Sequence, residues 1–124
     1  MVLWVLVALG GALGAMSRYA VDRVVNGLFG TTVLGTFAVN ISGSFLLGLL
    51  VAATAGRLGL PEEARALAAV GFLGSYTTFS TLTVASVQLA ADGDWIRAAT
   101  NIVGSIVVGV LAAFAGITVG RAVL

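Results

Sequence analysis

The sequence predicts an all-α membrane protein of four transmembrane helices, and three observations carry that prediction. Hydrophobic residues make up 60% of the chain and charged residues only 9%, whereas a soluble domain carries about a quarter charged residues. The charges also leave four uncharged runs, at 1–17, 24–56, 66–91 and 98–120, and a span needs about 20 apolar residues. Finally, many of the seventeen glycines stand four residues from another small residue inside these runs. Helices approach one another in lipid through such small-residue pairs, because leucine against leucine gains nothing there.

Each helix has its own boundary signals. The first is expected at about 2–25, with Asn26-Gly27 as its stop. Arg18 then lies at or inside the membrane boundary, where a guanidinium can snorkel to the headgroups or draw anions toward a pore. Thr31-Thr32 supplies an N-cap for a second helix at about 32–55. Leu60-Pro61-Glu62-Glu63 opens a third at about 61–91, with proline in the first helical position and carboxylates in the positive first turn. Asp92-Gly93-Asp94 closes the third helix, and Asp94 can cap the fourth, at about 94–121. No linker or low-complexity tract divides the chain, so 1–124 reads as one domain. An N-terminal cleavable signal is not expected, since 1–15 carries no positive side chain.

The third run carries the densest signal, Gly71-Phe72-Leu73-Gly74-Ser75-Tyr76-Thr77-Thr78-Phe79-Ser80-Thr81-Leu82-Thr83. Glycines, β-branched residues and hydroxyls weaken a helix and compete for its backbone hydrogen bonds. A break is expected at about Gly74 to Thr77, in mid-membrane. Irregular backbone survives at that depth only where it is buried in protein or lines a cavity. Its freed carbonyls can hold a cation, and the amides of the following half-helix can face an anion. Polar residues recur at helical spacing in the flanking spans: Thr36, Asn40 and Ser44 in the second, Asn101 and Ser105 in the fourth. Singly they read as helix-packing groups. Together they suggest a hydrated path.

The charge pattern bears on orientation. Arg57, Arg65 and Arg121 fall on one side of the membrane, and Arg18, Arg23 and Arg97 on the other. Arginine and lysine counts set orientation, and a tie gives no preference. Insertion in both orientations, and with it an antiparallel homodimer, is the expectation. Cysteine and histidine are absent, which excludes disulfides, thiol chemistry and the usual zinc and haem ligands. A net charge of +1 is too small for a nucleic-acid surface.

Three ordered motifs on three spans resemble the CrcB/Fluc family of fluoride channels. They are Gly10-Gly11-x-x-Gly14-Ala15-x-x-Arg18-Tyr19, Gly35-Thr36-x-x-Val39-Asn40-x-x-Gly43-x-Phe45-x-x-Gly48, and Gly71-Phe72-x-Gly74-x-x-Thr77-Thr78-Phe79-Ser80-Thr81. The resemblance implies a multi-pass protein of the inner or plasma membrane, not an enzyme. It implies a dual-topology homodimer with two antiparallel fluoride pores, a structural sodium ion (Na+) at its centre and passive export of fluoride. Asn40 matches the pore asparagine, Phe79 the first pore phenylalanine, Arg18 the first-helix arginine and Ser105 a hydroxyl of the fourth-helix polar track. Gly74 and Thr77 match the positions whose backbone carbonyls hold the sodium. Ser80 and Thr81 add hydroxyl donors beside Phe79. The sequence departs from the family where Leu82 replaces the second phenylalanine, Asn101 a tyrosine and Gly109 a track serine.

The alternative reading is a dual-topology transporter of the small multidrug-resistance type. Proton-coupled export needs an ionisable group inside the membrane. Asp22, Glu62, Glu63, Asp92 and Asp94 are all expected in loops or at helix ends. A bundle with no transport role leaves the broken third helix without a purpose.

Overall fold

A computed structural model describes all residues, Met1–Leu124. It is entirely helical, and four of its helical stretches are long and apolar enough to cross a membrane. The first is α1 (Val2–Phe29) and the second α2 (Thr32–Ala55). The third is composite: α3 (Glu62–Arg65), a π-helical segment (Ala66–Leu73), α4 (Gly74–Tyr76) and, beyond a break, α5 (Phe79–Ala91). The fourth is α6 (Trp95–Val123).

The helix ends follow local chemistry. α1 does not stop at Asn26-Gly27; it runs on to Gly30, which takes the left-handed conformation (φ 71°) and returns its N–H to the Asn26 carbonyl at 2.8 Å. Thr31 caps α2 by accepting from the Val33 N–H at 3.2 Å. Pro61 stands at the cap of α3, one position before the helix. Asp94 caps α6 by accepting from Arg97 N–H at 3.1 Å.

Small residues make the helix contacts. Gly116 of α6 lies so close to Phe45 of α2 that an added Cβ would collide with the Phe45 carbonyl, and Gly48 of α2 abuts Ala113 of α6 in the same way. Gly10 and Gly14 let α1 lie directly on the main chain of Leu67 and Phe72 in the π-helical segment. The large apolar side chains of α1 and α6 point outward instead, among them Trp4, Leu13, Leu111 and Phe114, as suits a lipid-facing surface. Gly116→Val is expected to force α2 and α6 apart and abolish a monodisperse folded species in detergent, whereas Gly104→Val, at a position with open space, should be tolerated.

Candidate functional site

The break in the third span falls at Thr77 and Thr78, whose backbones are extended (φ −85°, ψ 157° and φ −150°, ψ 115°). It therefore sits at the C-terminal edge of the expected stretch. Helical bonding ends with the Thr77 N–H on the Leu73 carbonyl at 3.2 Å. Thr78 then begins the next half-helix as its cap, accepting from the Thr81 N–H at 3.3 Å and donating to Thr81 Oγ1 at 3.0 Å.

A main chain released inside an apolar span must find other partners, since each buried unpaired polar group costs about 1–3 kcal/mol. Asn40 of α2 supplies them. Its Oδ1 accepts from the Thr78 N–H at 2.7 Å, and its Nδ2 donates to the Thr78 carbonyl at 3.0 Å. A side-chain amide presents the same donor and acceptor pair as a peptide group, so Asn40 replaces the helix at the point where it stops. One Nδ2 hydrogen remains for another acceptor. The Asn40 carbonyl receives Ser44 Oγ at 2.7 Å. Below the break, Ser42 gives its only hydrogen to Ala38 at 2.7 Å and lies 3.0 Å from the Tyr76 hydroxyl, which is therefore the donor of that pair.

Two cavities flank the break, and Thr78 lines both. One, of about 290 Å³, is lined by Asn40, Ser44, Gly74, Thr77, Phe79 and Leu82, with no charged residue. Phe79 is 75% exposed and Leu82 only 6%. The Gly74 and Thr77 carbonyls accept no turn or side-chain hydrogen bond, and a Cβ at Gly74 would meet nothing nearer than the Ala69 carbonyl at 3.7 Å. The other cavity, of about 260 Å³, gathers Arg18, Tyr19, Asp22, Thr36 and Thr81. Six of the expected site residues thus divide between the two cavities: Asn40, Gly74, Thr77 and Phe79 in one, Arg18 and Thr81 in the other.

Ser80 and Ser105 line neither. Ser80 is exposed beside the cap. Ser105 is buried in the face of α6 turned to the bundle, and its Oγ is the one fully shielded side-chain polar atom without a hydrogen-bond partner. One turn earlier on α6, Asn101 donates to Ser86 Oγ at 2.9 Å, and Ser86 donates to the Leu82 carbonyl at 2.8 Å.

Two features of the site are corrections to the sequence reading. Asp22 lies neither in a loop nor at a helix end: α1 continues past it, and its half-buried carboxylate sits over Gly35 in the first turn of α2. The positive end of that helix is where a carboxylate is favoured. Thr78, which holds the break to α2, stands among six other hydroxyl residues in 71–83. Its pairing with an amide 38 residues away on another helix has no local signal.

With this geometry in view, residues 5–117 match the family model described as CrcB-like protein, Camphor Resistance (CrcB). The chain is 43% identical over 116 residues to the "Fluoride-specific ion channel FluC" of Magnetococcus marinus, covering 93% of this chain and 94% of that one. It is 40% identical over 119 residues to the protein of the same name from Maridesulfovibrio salexigens, covering 95% and 94%. It is 44% identical over 114 residues to "Fluoride-specific ion channel FluC 2" of Moorella thermoacetica, covering 91% and 92%.

Proposed function

The chain belongs to the CrcB family, and on that premise we propose that it is a fluoride-selective channel of the cell membrane, carrying fluoride passively out of the cytoplasm. The observation that carries this reading is the mid-span break held by Asn40, which opens an uncharged cavity at the depth where a pore must strip an ion of water. Fluoride is small and strongly hydrated, so donors must replace its water. The spare Nδ2 hydrogen of Asn40 and the orphaned Ser105 hydroxyl are candidates, and the positive edge of the Phe79 ring adds a weak attraction. No carboxylate enters that cavity to repel an anion, and Arg18 in the adjoining one draws it in. Asp22 shares that second cavity, beside the first turn of α2, where a carboxylate is accounted for by the positive end of that helix and not by proton coupling.

The working unit in this reading is an antiparallel homodimer with two pores. A phenylalanine left 75% exposed beside an exposed glycine suits a face that a second copy covers. Two copies would bring four carbonyls, from Gly74 and Thr77 of each, to one point. Neutral carbonyls without carboxylates suit a singly charged ion such as structural sodium better than a divalent one, and no cluster of acidic or other ligating side chains competes for the role.

The test is fluoride efflux from liposomes holding the purified chain. Efflux down the fluoride gradient without a proton gradient supports the channel; flux that requires a proton gradient overturns it. Adding lysines at the C-terminus should bias insertion toward one orientation and lower activity, with topology reporters on the unmodified chain showing both orientations. Exchanging sodium for a bulky organic cation during purification should weaken the dimer on size exclusion, and restored sodium should recover it.

A further inference from the structure

Far from the break, the ends of α2 and α6 enclose a cavity of about 310 Å³. Val51, Ala52 and Ala55 of α2 and Ile117 and Val123 of α6 form its apolar wall, and Arg57 and Arg121 stand at its rim. Both arginines are exposed, and neither is in an ion pair, the only one in the structure being Arg97 with Asp94. The rim lies at the ends of two membrane-spanning helices, since α2 ends at Ala55 and Arg121 lies in the last turn of α6.

One arginine near each helix C-terminus would be accounted for by the negative end of the helix dipole. Two guanidiniums lining one cavity have a further use. The planar fork of arginine matches the oxygens of a phosphate, and basic pockets between transmembrane helices hold anionic headgroups. The wall distinguishes a lipid from a free anion. Val51, on the membrane side of the rim, is 50% exposed, so the apolar wall opens to the lipid-facing surface there, where an acyl chain can lie and a soluble phosphate gains nothing.

We propose that this cavity binds an anionic phospholipid, its phosphate between Arg57 and Arg121 and its glycerol and upper acyl chain against Val51 and Ile117. The site is independent of which ion the protein conducts. The test is thermal unfolding of the purified full chain in non-ionic detergent, with phosphatidylglycerol, phosphatidylcholine or inorganic phosphate added at equal concentration. Ligand that binds only the folded state raises the melting temperature. Phosphatidylglycerol should raise it by several degrees, and the other two by less than half as much. The increment, measured from each protein's own baseline, should vanish in R57Q/R121Q. An equal rise with phosphatidylcholine, or an undiminished rise in the double variant, overturns the proposal, and an equal rise with inorganic phosphate assigns the site to a free anion instead. Should the double variant fail to fold, the lipid retained by the wild-type chain from an equimolar mixture decides: enrichment of phosphatidylglycerol supports the site, and a composition equal to the mixture overturns it.

Discussion

Asn40→Ala is expected to lower fluoride efflux about a hundredfold or more, a change of about 2.7 kcal/mol in barrier. The substitution removes both hydrogen bonds to the Thr78 main chain and leaves an N–H and a carbonyl unpaired in an apolar span, each at a cost of about 1–3 kcal/mol. The break then loses the group that holds it in register with α2. The same change also removes the remaining Nδ2 donor from the cavity. Asn40→Asp separates the two contributions. A carboxylate keeps the acceptor for the Thr78 N–H but can donate nothing and places a negative charge in the path of an anion. Its efflux should fall as far as that of the alanine variant, while its melting temperature in detergent falls less. Near-normal efflux in Asn40→Ala, with a folded protein, would reduce Asn40 to a helix-packing residue.

The parts of this arrangement differ in how far the sequence reveals them. Span positions follow from the distribution of eleven charges, and the break follows from the crowding of glycine and hydroxyl residues around Gly74 to Thr83, because both are properties of composition over a window. The π-helical run from Ala66 to Leu73 has no such mark: its residues, rich in alanine and leucine, suit an ordinary helix equally well. It exists where Gly10 and Gly14 of α1 press against the main chain of Leu67 and Phe72, a tertiary contact. The same holds for the site. Asn40 stands out as a polar residue in an apolar helix, yet its partner depends on the rotation of α2 against the break, which no spacing within α2 encodes. Asp22 was misplaced for a simpler reason. Asn26-Gly27 reads as a helix stop, but the left-handed turn falls at Gly30, and those added residues place the carboxylate in the body of α1 and not in the last turn of a helix ending near 25.

Phe79→Leu is expected to reduce efflux by more than tenfold, about 1.4 kcal/mol in barrier, while leaving the individual chain as stable as before. The two halves of that expectation come from the same observation. A side chain 75% exposed within its own chain contributes little to the packing of that chain, so removing its ring should not disturb the four helices. Its place in the uncharged cavity with Asn40, Ser44 and Thr77 gives it a direct view of any ion there, and leucine lacks the ring edge whose positive field can face an anion. Leu82, one turn later, is the contrasting case. It lines the same cavity but is only 6% exposed, and its carbonyl accepts from Ser86, which Asn101 holds in turn. Enlarging such a residue ordinarily costs about 1–3 kcal/mol in overpacking. Leu82→Phe should therefore lower the melting temperature and change efflux by less than about tenfold, since the apolar wall that excludes water is already present. If Leu82→Phe instead produced a large gain in efflux, or Phe79→Leu left efflux unchanged, the ring field would be needed at position 82 and not at 79. The outward-facing phenylalanine would then belong to the contact between two copies of the chain, a role that Phe79→Leu would report as a weakened dimer on size exclusion.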